Sequence, residues 1–571
     1  MTTDPLYLGL DLSTQQLKVL AVRSNLETVF EEAVSFDTDL PSYGVRKGVF
    51  VNDKDHEVYA PVAMWIEALD LILQRMKSRG FDFSRVMGIS GAGQQHGSVY
   101  WAKDAESILS TLSPDKSLLE QLSLTAFSWE FSPNWQDHST SSQLHAFEDL
   151  IGGPEALAKA TGSSGHHRFT GPQILRFVQL RPDAYAATSR ISLVSSFLAS
   201  LFLGKIAPLD ISDVCGMNLY NMETHSWDDR LISLAASPSG TDAAATAALY
   251  DKLGPVEPDG GKHLGRISPY FSQKYGFPPS CTIMPSTGDN PSTILALPLQ
   301  PHDAIVSLGT STTILMSTEH YHPSAAYHLF NHPTTPGLYM FMLCYKNGGL
   351  ARENIRDAIN AATGAHDHSW ALFNKAAVET PVLGRKSATD PAKIGFYFPL
   401  PEIVPHVKKP GTYRFHVDGT SISEQQPTAW PATADARAIL ESQALSMRIR
   451  SAPLLDEKAP HPRRIYLVGG GSKNPAFAKV LGDVLGGYDG VYKLDVGNAC
   501  ALGAAYKALW AVERNPGETF ETLIGKRWNE EGKVEKVMEG YKEGVWEAYG
   551  EIAEGYLQAE ARVVRGEAKG Q

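Results

Sequence analysis

Asp289 stands between Gly288 and Asn290, with Pro291 behind it, in the stretch 282–318, TIMPSTGDNPSTILALPLQPHDAIVSLGTSTTILMST. Glycine and asparagine let the backbone turn tightly and project the carboxylate, which suits a general base better than a core residue. A few residues on, Ala304 to Leu308 reads as a buried strand, Gly309-Thr310-Ser311-Thr312 as a turn and Thr313 to Met316 as a returning strand. Such a turn can aim backbone N–H groups and hydroxyls at phosphate oxygens. The N-terminus repeats the pattern: Leu6 to Leu10 reads as a strand, Asp11-Leu12-Ser13-Thr14 as the turn and Leu17 to Val22 as the return. Two such hairpins about 300 residues apart suggest a duplicated domain whose halves face one nucleotide. Each hairpin taken alone also fits an ordinary polar turn.

Other polar clusters lie at glycine-rich strand or helix ends. Val86 to Ser90 reads as a strand running into Gly91-Ala92-Gly93-Gln94-Gln95-His96-Gly97, where amide and imidazole groups suit a polyhydroxylated ligand. A locally bonded histidine in a polar loop fits the same residues. Trp135-Gln136-Asp137-His138-Ser139 precedes a helix that Ser139 or Thr140 is expected to cap. In Gly165-His166-His167-Arg168-Phe169-Thr170-Gly171, Arg168 reads as a donor to a hydroxyl or carbonyl, or as half of a surface salt bridge. Adjacent histidines make poor metal sites unaided, and His320/His322 and His366/His368 lack further ligands at motif spacing. Asp210 to Asn218 is a compact polar turn, and Asp228 is placed to cap a short helix. Gly469-Gly470-Gly471-Ser472 follows a strand from Arg464 to Val468 and precedes a helix with Asn474 at its cap and Pro475 in its first turn. That unit allows close approach of a nucleotide, although its glycine spacing is neither the dinucleotide nor the P-loop signature.

These residues need a large scaffold. A chain of 571 residues exceeds one core and is read as two lobes, 1–290 and 291–571. Hydrophobic residues at 43% and charged residues at 20% describe a globular protein, and a net charge of −12 argues against a nucleic-acid partner. Four scattered cysteines without a CxxC pair fit a reducing compartment; with no leader or apolar span, no membrane partner and a cytoplasmic location are expected. Val62, Trp65, Ile66, Leu69, Ile72, Leu73 and Met76 form one helical apolar stripe. Residues 236–261 read as helix and loop near the lobe boundary. Tyr339 to Cys344 reads as a strand leading through Asn347-Gly348-Gly349 into a helix with Leu350, Ile355 and Ile359 on its apolar side. The proline-rich stretch 396–431 reads as an irregular excursion, Thr433 as the cap of the next helix, Asn498 to Trp510 as a last helix, and 562–571 as a frayed tail.

The motifs GLDLSTQQLKVLAV, GISGAGQQHGSVYW, WQDHSTSSQ, RFTG, STGDNPSTI, VSLGTSTTI, CYKNGG and VGGGSKNPAFAKVLGDVL, in this order, resemble the FGGY carbohydrate kinases over roughly residues 6–512. The resemblance implies an α/β fold of two ribonuclease-H-like (actin-like ATPase) lobes, with sugar and ATP in the cleft between them, the first lobe taking sugar and the second ATP. It implies that His96, Arg168, Asp289 and Asn290 contact the sugar and that Asp289 is the catalytic base. Trp370, Gly470, Gly471 and Asn474 match ATP-contacting positions, Gly309 and Thr310 would lie over the phosphates with Ser13 and Thr14 opposite, and Asp11 matches an aspartate that meets the Mg²⁺ of Mg-ATP through water. The expected reaction is phosphorylation of a ketose, D-xylulose first, with ribulose or glycerol as alternatives. A nucleotide switch that senses sugar without phosphorylating it is the rival from another class, and Asp289 beside Asn290, with His96 and Arg168, speaks against it. The expected partners are the ketose and ATP, in a monomer or homodimer.

Overall fold

Leu6–Leu12 is buried along its whole length and pairs antiparallel with Gln16–Arg23, which places it centrally in a sheet. In this computed structural model, which describes residues 4–123, 125–364, 367–387, 389–426 and 430–570, the chain divides into two units. The first takes the chain up to Leu299, then Pro323–Met340 and Val496–Trp528. The second takes Gln300–His322, Phe341–Asp495 and the chain from Asn529 onward. The fold is α/β.

In the first unit the strand order runs Thr28–Ser35, Gln16–Arg23, Leu6–Leu12, Val86–Gly93, Thr282–Ile283 and Gly265–Arg266. Leu6–Leu12 and Val86–Gly93 are parallel, with Asp11 level with Ala92 and Leu12 with Gly93. Thr287–Gly288 joins the same strand in parallel, with Gly288 also level with Gly93. Three strand ends therefore finish side by side, and ligands in open α/β sheets bind at such carboxyl ends. The helix Val62–Ser78 buries the predicted stripe against this sheet's core. The helix Ala499–Glu513 covers the sheet from the far end of the chain: a Cβ on Gly9 would stand 1.9 Å from the Ala501 carbonyl oxygen, and one on Gly503 1.9 Å from that of Ser292. Only glycine permits either approach.

In the second unit the order Tyr339–Tyr345, Thr312–Thr318, Ala304–Leu308, Ile465–Val468, Val491–Leu494 repeats the first. Ala304–Leu308 again pairs antiparallel with the next strand and parallel with Ile465–Val468, Ser307 level with Val468. Each unit thus has the strand order of a ribonuclease-H-like lobe, and the duplicated hairpins are the first two strands of each.

Several local expectations need correcting. The first strand runs to Leu12, so Asp11 is a buried strand residue rather than part of the turn, because its pairing with Lys18 continues the ladder. Asp289 opens a short helix, Asp289–Ile294, with Gly288 at its cap, rather than sitting in a turn. From Ala392, just ahead of and through 396–431, the chain forms Ala392–Phe398, Gly411–Asp418 and Ser421–Glu424, an antiparallel sheet whose buried residues are mostly aromatic and β-branched. Thr433 lies inside the helix Ala432–Ser451, which Pro431 precedes, and the Thr140 hydroxyl donates to the His167 carbonyl instead of capping. Residues 236–261, including the helix Ala243–Leu253, lie within the first unit rather than at its boundary. The helix Gly349–Ala362 buries Arg352 and Arg356 beside Ile359, while Leu350 and Ile355 are half-buried. The tail is held: Ala568 is buried and the Lys569 N–H donates to Glu424. His366 lies outside the described residues. Among the described residues no helix is long and apolar enough to cross a membrane.

Candidate active site

The parallel register of the first unit delivers three functional groups to one edge. Asp11 is the next-to-last residue of one strand, Gln94, Gln95 and His96 follow the second, and Asp289 and Asn290 follow the third. The Asp289 Oδ1 accepts the Asn290 backbone N–H at 2.8 Å and the Asn290 side-chain amide at 3.1 Å. That amide also donates to the Gln95 Oε1 at 2.9 Å. Burial pushes the Asp289 carboxyl up to about 6, offset by these donors and the Gln95 N–H. The carboxylate is thus ionised near neutrality yet basic enough to take a proton, as a general base requires.

Asp11 is 4% exposed, and among the described residues its Oδ1 has no partner. Burial first, and then repulsion from Asp289, raises it to about 7, against the attraction of Lys18. A buried, unpartnered carboxylate oxygen facing a second carboxylate fits a divalent cation, which would lower both. Ser13 donates to the Gln16 carbonyl, and Thr14 donates to the Gln94 Oε1 and accepts from the Trp135 indole, so both predicted hydroxyls are engaged within the unit.

His96 adopts a left-handed backbone, φ 72°, and its ring stacks on Phe169 with centroids 4.5 Å apart. Burial and the Arg168 charge hold it well below the ordinary imidazole value. The neutral ring donates from Nδ1 to the Gly216 carbonyl at 3.0 Å, which leaves Nε2 as an acceptor for a hydroxyl. Arg168 lies over the same Phe169, 5.9 Å from its centroid, and its Nη2 donates to the His328 Nε2 at 3.4 Å. His328, pushed down to about 3 by burial and then by Arg168, is neutral and turns its Nδ1 to the Ser163 hydroxyl at 2.9 Å. His96 and Arg168 therefore both contact the Phe169 ring, while Asp289 and Asn290 share a hydrogen-bonded chain with Gln95, the residue before His96.

Sequence reasoning missed what lies beneath. Asp213 is buried with one oxygen on the Ser195 hydroxyl at 2.5 Å and the other unpartnered, and a Cβ on Gly288 would stand 2.7 Å from that free oxygen. Burial first, with Asp210 and Asp289 adding repulsion, raises its carboxyl to about 8. Asp210 and Lys507 form an ion pair at 3.3 Å with no exposure on either side. The polar turn at Asp210 to Asn218 was the one visible signal; nothing local marks Lys507 or His328.

In the second unit, Gly309 and Thr310 form the turn of the hairpin, and their carbonyls accept from the Gly349 and Leu350 N–H groups at 3.1 Å each. Gly471 presses on Leu308, where a Cβ would come within 2.8 Å of its side chain, whereas Gly470 faces open space. The Asn474 Oδ1 caps the helix Pro475–Leu485 through the Ala476 N–H at 3.0 Å, and its Nδ2 donates to the Asn374 Oδ1 at 2.9 Å. Trp370 meets Phe373 and Phe477 edge to face, each with centroids 5.2 Å apart, under the Arg356 guanidinium at 4.7 Å. The four predicted nucleotide residues and the turn thus sit on linked elements of one unit, with Asn374 as a member that sequence reasoning missed. A cavity of about 610 Å³ in the first unit, lined by Tyr220, Trp227 and His332 among others, contains none of the expected site residues.

Residues 133–296 match the N-terminal domain of the FGGY family of carbohydrate kinases, and residues 304–512 match its C-terminal domain. The chain belongs to that family. Relatives within it include a probable D-xylulose kinase A of Aspergillus terreus, 58% identical with 99% of each chain covered. A protein of the same description from Aspergillus niger is 57% identical over the same shares. The FGGY fold is also seen in the xylulose kinase of Bifidobacterium adolescentis, at 20% identity and TM-score 0.70, covering 96% of this chain and 99% of that one. The gluconate kinase of Lactobacillus acidophilus gives 0.73 at 15% identity, covering 98% and 99%. As a member of this family the protein is a sugar kinase that uses ATP as phosphoryl donor.

Proposed function

We propose that the protein transfers the γ-phosphoryl group of Mg-ATP to D-xylulose, giving D-xylulose 5-phosphate and ADP in the cytosol. The observation that carries the reading is Asp289: a carboxylate held near pKa 6, in a hydrogen-bonded chain with Asn290 and Gln95, whose next residue, His96, offers a neutral acceptor beside Arg168. Asp289 takes the proton of the 5-hydroxyl as its oxygen attacks the γ-phosphorus in line, and ADP leaves. His96, Arg168 and Asn290 orient the sugar; Asp11 is the residue that would hold the Mg²⁺ of Mg-ATP through water, and that ion would supply neutralisation of phosphate charge. The Gly309–Thr312 turn takes phosphates, while Trp370, Gly470, Gly471 and Asn474 take the rest of the nucleotide. The first unit is the sugar side and the second the ATP side.

The choice of xylulose is supported by the fungal relatives, because the fold alone is equally close to a gluconate kinase. The test is ADP release from Mg-ATP with D-xylulose, D-ribulose, L-ribulose, glycerol or no sugar, with the product weighed by mass spectrometry. Strong dependence on D-xylulose and a xylulose phosphate product are expected. Preference for another sugar would move the specificity, and sugar-independent release would overturn the kinase mechanism.

A further inference from the structure

Arg352, on the helix Gly349–Ala362, is 2% exposed and forms no ion pair among the described residues. The carboxylate it feels most is that of its exposed neighbour Glu353. Its Nη1 donates to the Gln443 Oε1 at 2.7 Å, both terminal nitrogens reach the Thr312 hydroxyl at 3.4 Å, and its Nε has no partner. The guanidinium also lies 5.2 Å from the centroid of Phe477, on the helix that Asn474 caps. Charged groups are almost never buried without a counter-charge, because desolvation is not repaid by neutral hydrogen bonds. Burial lowers this guanidinium to about 10, which still leaves it charged near neutrality. The sheet, the Gln443 helix and the Phe477 helix all close on it without offering an anion.

What the cation does face is the floor of the Gly309–Thr312 turn. The start of its own helix is pressed against that turn: a Cβ on Gly349 would lie 2.3 Å from the Gly309 carbonyl oxygen, and one on Gly348 2.3 Å from the Thr312 hydroxyl. Gln443 ties the assembly together, donating to the Asn347 and Gly348 carbonyls at 2.9 and 3.2 Å while accepting from Arg352. The charge is therefore fixed behind the turn.

We propose that Arg352 is a positioning residue for the nucleotide, a buried cation whose counter-charge is the phosphate chain of ATP and which acts through Thr312 and the Gly309–Thr312 turn. The inference rests on the reading that this turn holds phosphates. It separates the residue from an ordinary structural arginine, because an unpaired buried charge weakens the nucleotide-free fold and repays that only when the anion is bound.

The experiment uses the full chain with Arg352→Met, which keeps length without charge, and Arg352→Lys, which keeps charge. Melting is followed without ligand, and ATP, ADP and adenosine binding by calorimetry, alongside KM for each substrate. For Arg352→Met we expect ATP and ADP affinity to fall on the order of tenfold, as an electrostatic interaction across a few ångströms of protein gives. Adenosine affinity and the sugar KM should stay within about twofold, and the ligand-free melting temperature should hold or rise. Arg352→Lys should recover most of the phosphate-dependent affinity. A methionine variant that unfolds, that loses adenosine as much as ATP, or that binds ATP like the parent overturns the proposal, as does a lysine variant no better than methionine. Wild-type protein that binds ATP no better than adenosine would overturn the reading of the turn itself.

Discussion

Replacing Asp289 by Asn removes the proton acceptor while keeping the shape and one acceptor oxygen for Asn290. The folded carboxyl stands at about 6 instead of 3.8, because burial disfavours its charge. That rise corresponds to about 3 kcal/mol, and its sign is against the ionised protein: this contribution is favourable below pH 4 and is lost as pH climbs through 6. The neutral variant escapes the penalty, so at pH 8 it should melt higher than the parent, with the difference vanishing toward pH 4. Catalysis moves the other way. A positioned base contributes about 10² to 10⁴ in rate, so kcat should fall by about 3 to 5 kcal/mol of barrier, with the KM for Mg-ATP within about twofold. In the parent, kcat/KM should rise with pH through a limb near 6, and the variant should lack that limb. Melting curves at pH 4, 6 and 8 with initial rates over the same range test both halves. A variant that turns over within threefold of the parent, or that keeps the limb, would refute the assignment of Asp289 as the base.

Gly216→Ala would put a methyl 2.8 Å from the His96 Nδ1 and displace the ring; the sugar KM should rise on the order of tenfold with the Mg-ATP KM unchanged, measured by initial rates. Trp370→Ala removes two edge-to-face ring pairs and the seat of Arg356; calorimetry should show ADP affinity lower by about tenfold and sugar KM unaffected. Lys507→Met leaves Asp210 buried and unpaired; urea unfolding should show a loss of about 3 to 5 kcal/mol, part of which Asp210→Asn in the same chain restores.

Features decided within a few residues were legible in the sequence. The strand Ala304–Leu308, the helix Val62–Ser78 with its stripe, the Asp228 cap and the Asn474 cap followed by Pro475 all occur where local pattern puts them. Their causes, alternation, helical period and a side-chain oxygen near an orphan N–H, act over one or two turns. The candidate site residues were proposed from their motifs. Tertiary structure decided what these residues can do. Parallel register brings the Leu12, Gly93 and Gly288 strand ends level. Burial lifts Asp289, and burial with repulsion from Asp289 lifts Asp11. No property of residues 396–431 read singly marks a sheet, since each strand there is defined by the partner across from it. Arg352, Lys507 and His328 read as ordinary polar residues in the chain. Their significance lies in which groups surround them, and the sequence alone does not carry that, because desolvation and counter-charge depend on segments tens to hundreds of residues away.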